Sequence, residues 1–418
     1  GAIPSALTKN STGTATAVSP TITSGRAVYV ASNGGNRTAS PVPVVPAVWT
    51  MGTAASEASI PDYAHKAIGT SIAFGKTIAR ELHGRGPSYT YFIGCSNGGR
   101  NGYSAAERYA AEYDGIVSGC QNMNFASQTA AWLGLASKSG TPAAPTQPQF
   151  RAAFAAATAA CDPNDGIADG VIADPSACDL SPMSLVCGAP GADPDPSLCL
   201  STAQAQTMQG MFTDVVLNDG SKVYTGYTWT DFGFLAPFFE TFGGGFAFLA
   251  TGDASWMTRS KQATFDLNRD YPIFAAGLRA REVDQDKAAI AAFVASGKKL
   301  ISWHGGTDSL LSVGDHARRF GEMTAAGRSL GLADPWQNAR FFVVPGASHT
   351  RGERLTEIDW FTAITEWVEA GRAPSQLEYK FNAGGTGRAL PVCEHPKYPR
   401  YNGTGDRNAA NSYTCTNP

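Results

Sequence analysis

One serine stands out by its neighbours. Gly94-Cys95-Ser96-Asn97-Gly98 fits the pattern G-x-S-x-G, with the apolar run 89–94 before it and a helix-forming stretch from Arg100 after it. A serine on a tight strand-to-helix turn projects its hydroxyl above a sheet, and small neighbours let the helix start against the strand. The N–H groups that open such a helix, Asn97 first, can bind a developing oxyanion. Five residues alone are a weak pattern, and the plainer reading is a Gly-rich turn that cradles a phosphate. A nucleophilic serine also needs a base and a group to orient that base. In this arrangement the acid follows the serine and the histidine comes last, each after a later strand. The chain has six histidines. His65 and His316 fall in helical runs, His395 in the tail and His304 on a strand end. His349 follows the apolar run Phe341–Val344 through a short loop, and Asp308 follows Lys299–Trp303 in the same manner. Carboxyl ends of strands are where α/β sites assemble. Ser96, Asp308 and His349 therefore form the candidate triad. A surface-loop histidine and a turn-forming aspartate are the plainer readings of the last two. His304 is a rival base, expected to pack beneath the site.

A second constellation is Asp162-Pro163-Asn164-Asp165-Gly166-Ile167-Ala168-Asp169-Gly170-Val171. Carboxylates three and four residues apart, with glycines for sharp turns, suit a hard cation that takes six or more oxygen ligands. Asp162, Asp165 and Asp169 can supply carboxylates, and Ile167 and Val171 can supply carbonyls. The terminal bidentate glutamate of an EF-hand is missing. The ion expected is calcium, in a structural role, because the loop lies far along the chain from Ser96. A solvated Asp/Gly turn is the alternative.

The elements that must position these residues alternate. Arg26–Ser32 reads as a strand, Asp62–Leu82 as a helix, 89–94 as a strand, Arg100–Tyr113 as a helix and Gly115–Gly119 as a strand. Strands return at Lys299–Trp303 and Arg340–Val344, and a last helix covers Glu357–Ala370. That alternation is the mark of an α/β parallel sheet. Between them the pattern breaks. The expected organisation is a core in two parts, residues 1–121 and 297–418, around an insertion at 122–296 that carries the acidic loop. An aromatic run, Tyr227 to Phe248, lies in the insertion and could line an acyl pocket or simply build its core.

Composition bounds the rest. The chain has 418 residues, 43% of them hydrophobic, so a sizeable core is available. Net charge is −3, from 32 basic and 35 acidic residues, which gives no reason to expect nucleic acid or an acidic membrane as partner. No apolar stretch approaches the ~20 residues of a membrane span. Eight cysteines are present and none forms a C-x-x-C unit. Three short intervals suggest local bridges, Cys161–Cys178, Cys187–Cys199 and Cys393–Cys415, and with them a secreted or periplasmic protein. Buried free thiols in a cytosolic protein are the alternative. The chain starts Gly1-Ala2-Ile3-Pro4, without Met or signal peptide, so a processed or truncated start is expected.

The segments GCSNGGRNGYSAAERYAAEYDGIVSG, CDPNDGIADGVIADPSAC and KLISWHGGTDSLLS together resemble the tannase and feruloyl esterase family. GAIPSAL, RAVYVASNGG and VPGASH add to the likeness, which runs over nearly the whole chain. It implies an α/β-hydrolase core with a large inserted lid domain and hydrolysis of carboxylic esters, commonly of hydroxycinnamic or gallic type acids, from small molecules or plant polymers. On motif match Ser96 would be nucleophile, Asp308 orienter and His349 base, with Asp162, Asp165, Ile167, Asp169 and Val171 as calcium ligands. Another ester class (a polyester fragment, a terephthalate monoester or a lactone) and a non-catalytic binding protein on the same scaffold are the rival readings. Two departures stand out. In the family the cysteine before the serine bridges to one just after the catalytic histidine, but position 350 here is Thr, while Cys120 ends the strand GIVSG. A Cys95–Cys120 bridge between neighbouring strands is the expectation. The family's N-terminal strands, with a second oxyanion N–H, are expected to be reduced here to their last part. Either a segment cleaved from the same precursor and still bound would supply them, or that part is absent.

Overall fold

The computed structural model describes residues 27–31, 59–121, 123–232, 236–331, 336–349, 358–381 and 387–418. Its centre is a four-stranded parallel sheet in the order β1 (Tyr91–Cys95), β2 (Gly115–Gly119), β3 (Lys299–Gly305), β4 (Ala339–Val344). Ile93 stands opposite Val117, Val117 opposite Ile301, and Ile301 opposite Arg340. Side chains alternate between the faces of a strand, so each strand feeds two cores. Ile116, Leu300 and Phe341 face one side, with α1 (Ala67–His83), α2 (Asn97–Arg108), α8 (Lys287–Ala295) and α9 (Val313–Ser329). Val117, Ile301 and Phe342 face the other, with α10 (Trp360–Ala370) and a C-terminal hairpin of Gln376–Phe381 with Arg388–Cys393. Both faces are covered, which explains the near-continuous apolar runs of these strands.

The insertion has a core of its own. Helices α3 (Phe125–Ala136), α4 (Gln147–Cys161), α5 (Thr202–Phe212), α6 (Ala236–Thr251) and α7 (Leu267–Ala280) surround it. The aromatic run builds this core: Trp229, Phe232, Phe239 and Phe246 are buried, Phe246 meets Phe125 and Phe242 meets Trp132. Phe234 and the side chain of Phe238 lie outside the described residues. Helix α8, counted above in the insertion, packs on the sheet face with α2 and α9. Ile290, Phe293 and Val294 are its buried apolar face. Residues 27–31 form no strand, although Arg26–Ser32 reads as one, and Val30 instead packs close to Gly75 of α1.

The three local disulfides are formed: Cys161–Cys178, Cys187–Cys199 and Cys393–Cys415, with Cα separations of 5.3, 5.0 and 5.6 Å. The expected fourth is not. Cys95 and Cys120 are free thiols. Cys95 stands opposite Gly119, and Cys120 lies one residue beyond the strand, where a φ of 51° turns the chain and its N–H donates to the Trp303 carbonyl. The thiols still interact: burial first, and Cys95 next, push the Cys120 thiol well above its usual range. Among the described residues no helix is long and apolar enough to cross a membrane.

Candidate active site

Ser96 occupies the turn between β1 and α2, with φ 59° and ψ −125°. A non-glycine residue there is strained, and such strain is typical of a nucleophile elbow. Close approach fixes its neighbours. A Cβ on Gly94 would fall 2.3 Å from the Gly98 carbonyl oxygen, and one on Gly99 would fall 2.2 Å from that of Gly119. The second glycine of the motif, Gly98, has open space around it, so the steric need falls one residue later than the pattern indicates. Asn97 opens α2. Its N–H therefore has no acceptor within the helix and points with the positive end of the helix dipole.

The other two predicted residues arrive from the neighbouring strand ends. His349 follows β4 and Asp308 follows β3. Ser96 Oγ lies 2.8 Å from His349 Nε2, and His349 Nδ1 lies 2.8 Å from Asp308 Oδ2. Asp308 Oδ1 accepts from the N–H groups of Leu310 at 2.9 Å and Leu311 at 3.0 Å. Burial alone would raise the Asp308 carboxyl, but His349 and His304 more than offset it and hold it well below the usual carboxylate range. Burial would likewise depress His349, and the adjacent Asp308 carboxylate outweighs it, so the imidazole stands above its ordinary value. Proton transfer from Ser96 to Nε2, with the resulting imidazolium stabilised by Asp308, is the chemistry this geometry permits. Cys120 belongs to the same cluster: its sulfur and ligand-type atoms of Asp308 and His349 lie within 4.8 Å of one another.

His304 is no rival base. It has no exposed surface, and its Nε2 lies 3.1 Å from Asp308 Oδ2, behind the acid. Sequence reading missed its partners, His316, Tyr103 and Ser302, because they come from three separate elements. It also missed the insertion residues that grip the acid loop. Trp132 Nε1 and the Tyr227 hydroxyl both donate to the Leu310 carbonyl, each at 2.9 Å, and Thr228 and Thr230 donate to the carbonyls of Gly306 and Thr307.

The acidic loop is a separate site. Gly166 and Gly170, at φ 96° and 83°, make its turns. Asp162 accepts from the N–H groups of Asp169 and Gly170, Asp165 from that of Ile167, and Asp169 pairs with Arg388. Among the described residues Arg388 is the one cation paired with these carboxylates, and Arg407 donates to the Ala168 carbonyl beside them. Burial, with Asp169 and Asp162 as nearby like charges, pushes Asp165 up to about 7. A loop of buried carboxylates with that shortage of positive charge fits a hard cation. Among the described residues the three carboxylates do not converge as closely as the Cys120 group does; Asp169 is engaged by Arg388 and Asp162 by backbone amides.

Comparison with known proteins gives the family. The family described as tannase and feruloyl esterase matches residues 2–233 and 258–416, which include Ser96, Asp308 and His349. The chain belongs to the tannase and feruloyl esterase family. It is a carboxylic ester hydrolase on an α/β fold, as its family and relatives are. A probable feruloyl esterase of Arthroderma benhamiae is 28% identical over 390 residues, covering 85% of this chain and 68% of that protein. The mono(2-hydroxyethyl) terephthalate hydrolase of Piscinibacter sakaiensis is 27% identical over 408 residues, covering 82% of this chain and 66% of that protein. Feruloyl esterase B from Aspergillus oryzae has the same fold, with a TM-score of 0.74 at 23% identity over 86% of this chain and 75% of that one.

Proposed function

We propose that this tannase-family esterase hydrolyses esters of aromatic acids, of hydroxycinnamic or gallic type, through an acyl-enzyme on Ser96. The observation that carries this is the unbroken line from Ser96 Oγ to His349 to Asp308, two contacts of 2.8 Å beginning at a strained elbow. His349 Nε2 takes the serine proton as Oγ attacks the ester carbonyl. The Asn97 N–H stabilises the tetrahedral oxyanion. His349 returns the proton to the leaving alcohol, then activates water to release the acid. Ser96→Ala is expected to abolish turnover of methyl ferulate and methyl gallate and to block labelling by a fluorophosphonate, with the fold intact. Activity retained in that variant would overturn the assignment. The terephthalate hydrolase relative supports a second substrate class, an aromatic diacid monoester, so a terephthalate monoester belongs in the same panel. An oxygen-rich loop short of positive charge supports a structural calcium held by Asp162, Asp165 and Asp169 with the carbonyls of Ile167 and Val171; no step of the reaction runs through it. Three disulfides support an exported protein, secreted or periplasmic.

A further inference from the structure

Asp308 has a second histidine. Its Oδ2, already 2.8 Å from His349 Nδ1, lies 3.1 Å from His304 Nε2. That nitrogen is also 3.2 Å from the Leu311 carbonyl oxygen. An ionised carboxylate and a carbonyl only accept, so His304 Nε2 carries a proton. His304 Nδ1 lies 2.8 Å from His316 Nδ1, and a single proton must sit between them. His316 Nε2 meets the Tyr103 hydroxyl, which is 2.8 Å from Ser302 Oγ. All four residues are fully buried on one face of the sheet, and none takes part in the hydrolysis steps above.

Three proton patterns satisfy every contact, and in each His304 Nε2–H faces Asp308. In the first both rings are neutral. Ser302 donates to Tyr103, Tyr103 to His316 Nε2, His316 Nδ1–H to His304 Nδ1, and His304 Nε2–H to Asp308. The second adds a proton on His316 Nε2, reverses the upper links and leaves His316 an imidazolium in a water-free interior; the third moves the shared proton to His304 Nδ1, so that the charge sits on His304 beside Asp308. Burial, aided by His304, holds His316 well below the ordinary imidazole value, against a weaker pull from Asp308. Charge is thereby kept off His316, and in every remaining pattern His304 Nε2–H donates to Asp308 Oδ2.

We propose that His304 is a positioning residue for ester hydrolysis, its ring held by His316 and Tyr103, and that it locks the Asp308 carboxylate in place. This rests on the triad reading given above. Two backbone N–H groups fill Oδ1 and two imidazole N–H groups fill Oδ2, so every acceptor position of the carboxylate is used. The carboxylate neither swings nor takes up a proton, and His349 stays in the tautomer that turns a bare Nε2 toward Ser96.

The test compares His304→Phe, which removes the donor but keeps a ring, with His304→Gln, which keeps a neutral donor and acceptor. Turnover of an aryl ester is measured with kcat and KM separately, and Tm alongside. His304→Phe is expected to lower kcat about 10- to 100-fold with KM essentially unchanged, and His304→Gln to restore most of kcat. Tyr103→Phe, which deletes one oxygen, is expected to lower kcat severalfold with little change in Tm. Wild-type kcat in His304→Phe overturns the proposal, as does a folded His304→Gln no better than His304→Phe. Should neither His304 variant fold, Tyr103→Phe decides, and unchanged kcat in it refutes the proposal. Ser96→Ala separates the two levels. If that variant still turns over, the triad reading falls; if it is dead while His304→Phe is unchanged, only the positioning role falls.

Discussion

Asp308→Asn tests the triad most sharply, because the structure dictates how the amide must lie. Four N–H groups face the side chain at position 308: Leu310 and Leu311 on one oxygen, His304 and His349 on the other. Asn offers one acceptor oxygen and one NH2. Turning the NH2 toward Leu310 and Leu311 sets it against backbone donors at 2.9 and 3.0 Å, which cannot change. Turning it toward the imidazoles sets it against rings that can change tautomer, so this orientation wins. His304 adapts by running the chain through His316 and Tyr103 in reverse, and gives up its contact with the Leu311 carbonyl in doing so. His349 adapts at the expense of catalysis. Its Nδ1 becomes the acceptor, its Nε2 carries the proton, and that proton faces Ser96 Oγ. A protonated Nε2 cannot take the serine proton. The expected loss is about 10⁴-fold in kcat, ~5.5 kcal/mol of barrier. The assay is steady-state hydrolysis of methyl ferulate at neutral pH, with Tm and circular dichroism confirming the fold. A folded Asp308→Asn enzyme within about 100-fold of wild-type kcat would refute the tautomer reasoning.

Further outcomes follow from the same contacts. The acid limb of kcat/KM reports the free-enzyme pKa of His349, which must be unprotonated to act. Burial lowers that value and Asp308 more than offsets it, so the limb is expected above the ordinary 6.5, with activity full on its alkaline side and lost as pH falls through it. A limb at or below 6.5 would show that Asp308 does not govern the imidazole. Thiol titration of the denatured, unreduced protein is expected to find two thiols, mapped to Cys95 and Cys120; none would establish the bridge the structure lacks. Chelation is expected to lower Tm while leaving the pH profile of activity in place, and calcium to restore it, by ~2.7 kcal/mol at a free concentration about 100 times its Kd. A Tm indifferent to chelator would remove calcium from the acidic loop.

The legible parts of this protein are those that local chemistry decides. Ser96 could be found because an elbow needs small neighbours, an apolar strand and a helix in immediate succession. Asp308 and His349 could be found because each follows an apolar strand by a few residues, and a parallel sheet gathers strand ends. The local disulfides were legible for a related reason: short intervals in loop-like sequence leave little choice of partner. Cys120 was not, because a single backbone angle past the strand end, φ 51°, decides where its sulfur points. Of the strand expected at Arg26–Ser32 only residues 27–31 are described, and they form none. The Tyr103–His316–His304 chain was illegible for a different reason. Its members sit on α2, α9 and β3, and only the packing of two helices on one sheet face brings them into contact.

The insertion has a consequence for catalysis that its sequence does not advertise. The loop after β3, residues 306–312, carries the acid, and loops at strand ends are normally the mobile part of such a fold. Here the insertion holds it at successive points. Thr228 and Thr230 bind the carbonyls of Gly306 and Thr307, Trp132 and Tyr227 converge on that of Leu310, and the Tyr224 hydroxyl accepts from the Ser312 N–H. Leu310 and Leu311 are themselves buried in the insertion's hydrophobic core. The same two residues present the N–H groups that bind Asp308 Oδ1. One oxygen of the acid is therefore fixed through the insertion, and the other through His304 and the sheet core. Asp308 is held from both sides of the boundary between the two parts of the chain. A substitution that loosens the insertion's core should then reach the chemistry through the orientation of His349, without touching any reacting atom.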